Sequence, residues 1–281
     1  MKKKILRSIS AVLLGAFILG FAGCAQPTPE EFDVQFKTAI ENSFSAPFFY
    51  WKETYVNGKN SKYTSCNVLT ALDNKYEPIL DENGDYAEVS INIMKTENEK
   101  SVYQLYCGKS ASSQGGETKE MLFTKDINPE TEKSVNKVTP MTVEEYLNHK
   151  DFESYTLEAK LKEVSGLTTA DMDLTADKCG IEKKGNVTKI NFTLTNEYFE
   201  RYEKENGEPS MFEGSKRVEI EMAFERISHI IVYSEEPIAG SNMTIETEPY
   251  KLFIVYLGPK FSIPSYDEKD ADGNPVYEFI G

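Results

Sequence analysis

The stretch Lys216-Arg217-Val218-Glu219-Ile220-Glu221-Met222-Ala223-Phe224-Glu225 decides the fold. Its apolar residues stand at every second position, and charged residues stand between them: Val218, Ile220, Met222 and Phe224 against Arg217, Glu219 and Glu221. A period of two predicts a β-strand with one face on the core and the other in water. The run His229–Ser234 follows closely enough to pair back as a hairpin. The sequence therefore predicts an antiparallel sheet.

Similar runs recur along the chain, and together they predict two meanders. The first contains Phe48–Val56, Tyr63–Leu72, Tyr86–Met94, Ser101–Cys107 and Lys119–Thr124. The second contains Lys178–Lys183, Val187–Thr195, the stretch quoted above with its partner, and Thr244–Leu257, broken by Pro249. Short connections such as Asn57-Gly58 suit hairpins and not crossover helices. Residues 125–140 are polar and contain proline, and we predict a connector there.

The end of the last run differs from the others because it is apolar on both faces. Leu252, Ile254 and Tyr256 point one way, and Phe253, Val255 and Leu257 point the other. A strand of this kind is buried on both sides. We therefore expect another part of the chain to cover the second face.

Three segments are predicted to be helical. Pro29–Ser45 has an apolar residue every four positions, with Thr28 as its cap (Phe32, Phe36, Ile40 and Phe44). Thr142-Val143-Glu144-Glu145 is a capping box, and we expect its helix to continue to about Val164. Asn196–Glu205 is a short helix. The predicted fold class is α+β, a single curved antiparallel β-sheet (a half-barrel) with helices packed on its concave face.

The N-terminus has the composition of a secretion signal. Basic residues lead it, and the apolar run from Ala11 to Ala22 is too short to span a bilayer as a helix. Phe21-Ala22-Gly23-Cys24 resembles the lipobox of bacterial lipoproteins. It predicts a signal peptide over 1–23, lipidation of Cys24, and a tether over 24–29. The alternative is a plain secretory signal with an incidental cysteine. The predicted location is the extracytoplasmic side of the cell membrane, held there by the lipid anchor.

The net charge excludes one class of partner. Residues 1–23 carry four basic and no acidic side chains, so their removal changes the net charge from −15 to −19. A body this acidic repels the phosphates of nucleic acid, so we expect no nucleic-acid binding. It is also repelled by an anionic membrane surface. The lipid anchor on Cys24 is therefore the predicted membrane contact.

No residue pattern in the chain indicates catalysis or a cofactor. The chain has two histidines, His149 and His229, in different contexts, and it lacks a Gly-rich phosphate loop and a Gly-x-Ser-x-Gly elbow. We expect a protein that is not an enzyme, with no cofactor and no metal. Glu268-x-Asp270-x-Asp272-Gly273 is similar to a calcium loop, but Phe279 stands at the position of the last ligand, and a turn explains it equally well.

The cysteines leave one question open. After Cys24 is lipidated, Cys66, Cys107 and Cys179 remain, so at most one disulfide forms. Cys66 and Cys107 both lie in strand-like runs and are the pair that neighbouring strands would bring together. The alternative is that all three are small buried hydrophobic residues.

The chain resembles the LolA/LolB-like lipoproteins, including the mycobacterial LprG and LppX type and Gram-positive lipoproteins of similar shape. Three stretches carry the likeness: the lipobox followed by the Phe32–Phe36–Ile40 helix, the returning strand Lys216–Ser234, and Tyr256-Leu257-Gly258-Pro259-Lys260-Phe261-Ser262-Ile263-Pro264. The resemblance implies that there are no catalytic residues. It also implies that acyl chains or other apolar ligands lie between the sheet and its helices.

The expected organisation is a LolA-like domain over 30–266 followed by a C-terminal tail over 267–281. In this interpretation the protein binds or carries a lipid or other apolar ligand. The expected ligand-binding residues are Phe36, Trp51, Ile254 and Tyr256. The alternative is a non-enzymatic surface interaction or structural lipoprotein with a filled core, whose protein partner is unknown.

Overall fold

The computed structural model describes residues 26–281 except residues 76, 239, 240 and 242. The protein has a mostly-sheet α+β fold with one large, curved, unclosed antiparallel sheet and few helices. This confirms the predicted fold class in its main features. The predicted signal peptide, Cys24 and the first part of the tether lie outside the described residues.

Thirteen strands and four α-helices follow each other in the described chain. The strands are β1 (Phe49–Asn57), β2 (Asn60–Leu69), β3 (Ser90–Glu97), β4 (Lys100–Ser110), β5 (Lys119–Ile127), β6 (Ser134–Pro140), β7 (Met172–Asp173), β8 (Gly180–Lys184), β9 (Val187–Leu194), β10 (Arg217–Ala223), β11 (Arg226–Pro237), β12 (Thr244–Val255) and β13 (Glu278–Phe279). The helices are α1 (Pro29–Phe44), α2 (Val143–Leu147), α3 (Leu157–Leu161) and α4 (Asn196–Asn206).

The two predicted meanders join side by side into one sheet. The strand order is β13-β6-β5-β4-β3-β2-β1-β12-β11-β10-β9-β7, and β8 also pairs with β9. The join is the antiparallel pair of β1 with β12, in which Trp51 lies opposite Ile254. Neighbouring strands are antiparallel throughout except for β13, which runs parallel to β6. The sheet ends at β13 on one side and at β7 and β8 on the other.

One face of the sheet carries the main core. Residues directly opposite each other on neighbouring strands point to the same side. The register therefore forms two rows of buried residues on this face: Ile254, Trp51, Cys66, Ile93 and Leu105 in the first, and Leu252, Ile230, Ile220 and Ile190 in the second. We call it the core face, and the opposite side the outer face.

Helix α1 contacts strand β11, and its sequence explains where it begins and ends. Thr28 and Glu31 form the capping box, and Pro29 occupies the first turn. Phe32, Phe36 and Ile40 are buried, which confirms the predicted apolar stripe. Near its end, the Ser43 hydroxyl accepts a hydrogen bond from the Ile227 amide of β11. The cap at Thr28 therefore fixes the start of α1, and the Ser43–Ile227 hydrogen bond joins its last turn to the start of β11.

The helix predicted from Thr142 to about Val164 is wrong as one continuous element. The capping box at Thr142 does open α2, but α2 is followed by a 3₁₀ turn over Lys150–Tyr155 and then by α3. Thr156 is extended, and its hydroxyl caps the amide of Ala159. A residue that caps a new helix has non-helical backbone angles, so the chain restarts there.

The structure also corrects the predicted start of one strand and reveals a strand that was predicted as a connector. The strand predicted to begin at Tyr86 begins at Ser90, because Glu88 has a φ of +56° and interrupts the extended backbone. The connector predicted over 125–140 is wrong, because β6 lies within it. Val138 of β6 is fully buried although its neighbours are polar.

Residues 258–281, which we call the C-terminal arm, lie on the outer face of the first meander. The Asn67 amide of β2 donates to the Pro259 carbonyl at 2.7 Å, and the Ser110 hydroxyl of β4 donates to the Pro264 carbonyl at 2.7 Å. Further along, the arm covers a second buried cluster (Met121, Phe123 and Val138, against Ile263, Tyr266 and Tyr277). The predicted tail over 267–281 therefore includes residues that pack on the sheet.

The expectation that Lys251–Leu257 is covered on both faces is wrong. Leu252 and Ile254 are buried on the core face, but Phe253 is 36 % exposed and Leu257 is 50 % exposed. The reason is the course of the arm, which begins at Gly258, beyond the end of β12, and crosses β2 and β4. The outer face of the second meander stays open at Phe253.

Candidate functional site

The four residues predicted to bind a ligand belong to the main buried cluster or pack against it. Trp51 and Ile254 are opposite each other on β1 and β12, and Phe36 belongs to the same buried cluster. Tyr256, just beyond β12, packs against that cluster. Phe36, Trp51 and Ile254 are each exposed by 2 % or less. The structure thus places the four residues in or against one buried cluster, and of these it pairs Trp51 directly with Ile254.

Trp51 is held by the segment that follows α2. Its indole N–H donates to the Tyr155 carbonyl at 2.9 Å, and the two rings stack 6.3 Å apart at 14°. The Lys160 ammonium lies 4.6 Å from the centroid of the Trp51 ring. The polar atom of the indole is therefore satisfied and its ring face is occupied.

A buried ion pair completes this layer, and the sequence interpretation missed it. Lys160 of α3 lies 3.0 Å from Glu53 Oε2, and the Tyr250 hydroxyl donates to Glu53 Oε1 at 3.1 Å. Burial, and then the negative charge of Glu53, raise the pKa of Tyr250 well above its ordinary value. The position of Glu53 could have indicated part of this pair. Glu53 is two residues after Trp51 in β1, so both side chains point to the same face of the sheet. No local pattern around Lys160 indicated its partner.

Tyr256 connects the end of the last long strand to α1. Its hydroxyl donates to the Ile227 carbonyl at 2.7 Å and lies 2.7 Å from Ser43 Oγ. Burial raises the pKa of Tyr256 to about 12, although the Ser43 hydrogen bond and the Arg226 charge lower it. The hydroxyl is fully used in joining helix and strand.

Two pockets lie elsewhere on the surface. A cavity of about 170 Å³ lies between α4 and the segment after α3. It is lined by Lys162, Glu163, Gly166, Tyr198, Arg201, Tyr202, Glu205 and Asn206. There the Glu163 carboxylate accepts from the Tyr198 hydroxyl at 2.9 Å and from the Met211 amide at 3.0 Å. An open groove runs along the far ends of β1 and β12 (Thr54, Val56, Tyr233, Glu246, Thr247, Glu248 and Lys251). Neither pocket is lined by the four predicted ligand residues.

The three cysteines of the described chain are free thiols. Cys66 lies opposite Ile93 and Cys107 lies opposite Ile91, so β3 separates the two strands that carry them. Two strand spacings are about 10 Å, beyond the Cα separation that a disulfide spans. The structure therefore favours the alternative of small buried residues for Cys66 and Cys107.

The residues of the calcium-like motif form a turn. The Asp270 carboxylate accepts from the backbone amides of Asp272 and Asn274, at 3.0 and 2.8 Å. Across the described ranges, no group of three or more His, Cys, Asp or Glu side chains is arranged to hold a metal ion. The two histidines serve different contacts: His149 accepts from the Asp151 amide, and His229 lies 3.2 Å from Glu221.

Comparison with known proteins adds no family to these observations. No protein-family model matches the chain, and no curated protein is significantly similar to it. The structure itself defines the class as an α+β protein with one open, mostly antiparallel sheet. Among the residues that the structure describes, no helix is both long and apolar enough to cross a membrane.

Proposed function

We propose that this protein is a lipid-anchored extracytoplasmic lipoprotein that acts as a non-catalytic interaction module. In this proposal Cys24 carries the lipid, the sheet is a half-barrel, and the helices fill its concave face. The supporting observation is the filled layer around Trp51. The indole N–H donates to Tyr155, the Lys160 ammonium lies over the ring, and Phe36 and Ile254 are buried in the same apolar cluster.

The surface available to a partner is the open part of the outer face. Phe253 packs against His229 there, with ring centroids 4.7 Å apart. In the strand register, Lys52 lies opposite Phe253 and Glu221 lies opposite His229. The pairs Lys189–Glu219 and His229–Glu221 belong to this surface. An aromatic residue surrounded by polar groups is a common centre for protein recognition.

A second candidate is a carrier of a lipid or other apolar ligand, as the resemblance to LolA-like proteins implies. One observation favours it. The cover over Trp51 consists of short helical turns, and two polar contacts tie it to β1: the Trp51–Tyr155 hydrogen bond and the Lys160–Glu53 pair. Displacing this cover would uncover an apolar surface on the sheet.

Native mass spectrometry of residues 25–281, expressed without the anchor, distinguishes the two candidates. The interaction module predicts the mass of the bare chain, unchanged after phospholipid is added. A lipid that copurifies at one per chain and is released on unfolding would establish the carrier instead. The matched variants are Trp51→Phe in the layer and Phe253→Ala on the outer face. Only the first should alter lipid binding if the carrier is correct.

The anchor has its own test. Cells grown with an alkyne analogue of palmitate should label the full chain, and Cys24→Ser should remove the label. Cys179→Ser, which changes a cysteine outside the lipobox, should keep the label. A label that persists in Cys24→Ser would refute lipidation at this residue.

A further inference from the structure

Phe224 is the most exposed large apolar side chain in the described residues, at 74 %. The sequence pattern placed it on the buried side of its strand, and this prediction is wrong. Ala223 pairs with Arg226, so Phe224 and Glu225 form a two-residue turn between β10 and β11. The turn rotates the Phe224 ring out of the sheet.

The backbone at Phe224 is unusual for an aromatic residue. Phe224 and Glu225 have φ angles of +51° and +58°, in the left-handed region that favours Gly and Asn. Three other two-residue turns of this sheet have such a residue at the first position: Gly58, Asn98 and Gly185. A residue held in a disfavoured conformation points to a role for its side chain.

The Phe224 turn is close to the point where the anchor meets the folded domain. The Lys183 amide of β8 donates to the Gln26 side chain at 2.9 Å. In the adjacent turn, the Phe224 amide donates to the Asn186 carbonyl at 3.0 Å. Cys24 is two positions before Gln26 in the sequence, a reach of about 7 Å at most. A lipid on Cys24 therefore holds these two turns close to the membrane surface.

The charge around Phe224 also differs from that of the whole chain. The two turns and their flanking residues carry three basic side chains, Lys183, Lys184 and Arg226, and two acidic ones, Glu182 and Glu225. Lys183 and Lys184 are exposed. These two lysines can therefore meet an anionic surface although the protein as a whole is acidic.

We propose that Phe224 inserts into the interfacial layer of the membrane that holds the anchor, while Lys183 and Lys184 face anionic phospholipid headgroups. This inference rests on the anchor at Cys24 in the proposed function. Aromatic rings favour the interface between headgroups and acyl chains. The lipid attaches the protein, and the Phe224 turn fixes its orientation, so that the β1–β2 turn at the other end of the sheet points away from the bilayer.

Depth-dependent fluorescence quenching in the full lipidated chain tests the orientation. The variant Phe224→Trp is bound to vesicles of phosphatidylcholine and phosphatidylglycerol whose acyl chains are brominated near the headgroup. Tyr55→Trp is the matched control, because Tyr55 is 49 % exposed and lies at the opposite end of the sheet. Buried Trp51 contributes the same background to both.

Insertion predicts that vesicle binding shifts the emission of F224W to the blue and that brominated acyl chains quench it. The emission of Y55W should not change. Adding Lys183→Glu and Lys184→Glu to F224W should reduce the quenching. Equal quenching of both variants, or none in either while the protein floats with the vesicles, would overturn the inference and leave the anchor intact. Failure of the wild-type protein to float would refute the anchor and with it this orientation.

Discussion

At the scale of single residues, the Glu53–Lys160 pair is the contact with the clearest energetic consequence. Both side chains are largely buried, at 11 % and 18 % exposure. Lys160→Met should leave the Glu53 carboxylate without its cation and lower the free energy of unfolding by about 2–4 kcal/mol. Equilibrium unfolding in urea measures this. Lys162→Met, two residues away and exposed, should change stability by less than about 0.5 kcal/mol.

A double variant separates the ion pair from simple loss of packing. Glu53→Gln combined with Lys160→Met removes both charges and should recover much of the lost stability, because no uncompensated charge remains buried. If the double variant is as unstable as the sum of the two single variants, the pair contributes no coupling and our interpretation of the layer is incorrect.

The Cys107 thiol predicts a pH dependence. Burial, then the charges of Glu120 and Glu145, raise the pKa of Cys107 to about 12. Between its unfolded value near 8.5 and the folded value, the unfolded chain releases the proton and the folded chain keeps it, so stability is lost as the pH rises. Unfolding measured from about pH 8 to pH 11 should show the wild type losing up to about 1.4 kcal/mol per pH unit more than Cys107→Ala. A constant difference between the two proteins would contradict this.

At the scale of elements, the C-terminal arm depends on Gly258. A Cβ there would lie 2.1 Å from Asn67 Oδ1 and 2.9 Å from Tyr50 Cβ. Gly258→Ala should force the arm from the outer face and destabilise the protein by about 1–3 kcal/mol. Gly166→Ala is the control, because its Cβ would meet nothing within 4 Å. Hydrogen exchange should become faster in β6 and the arm only in G258A; equal exchange in both variants would show that the arm does not need this glycine.

Element types were predictable where the sequence pattern was local. The cap at Thr28, the capping box at Thr142 and the Gly58 turn each act over a few residues, and the structure confirms them. The alternation in β10 predicted the strand and its core face, but Arg217 and Glu219, expected in water, are buried as well. Strand β6 was missed because one buried residue, Val138, carries its packing. Pro249 does not break β12, because the register with β11 shifts between Val232 and Ser234, where an extra residue is accommodated.

The candidate site was predictable in its apolar part only. Trp51, Ile254 and Phe36 could be assigned to one layer because apolar periodicity identifies the buried face. The polar contacts that fill the layer join residues about a hundred positions apart, such as Trp51 with Tyr155 and Glu53 with Lys160. Such pairing is decided by the tertiary fold and leaves no local signal. The tertiary fold also decides that the C-terminal arm lies across the first meander and not over β12, and no local pattern predicted this course.

At the scale of the whole molecule, the pairing of β1 with β12 makes one sheet from two meanders. Hairpin signals determine each meander, but they do not specify which strands lie side by side where the meanders meet. Helix α1 packs beside that join, and its Ser43 contacts both Tyr256 and Ile227. We therefore expect the two meanders to unfold together although they are distant in sequence.

Ile254→Ala tests this coupling, because Ile254 is buried at the join, opposite Trp51. The substitution leaves a cavity and should cost about 2–5 kcal/mol. Hydrogen exchange measured in denaturant should show β5 and β9, which lie on opposite sides of the join, losing protection by the same amount. Ile181→Ala on the edge strand β8 should instead speed exchange mainly near that edge. If β5 keeps its protection in I254A while β9 loses it, the sheet consists of two cooperative units, and the join transmits little of the stability of either one.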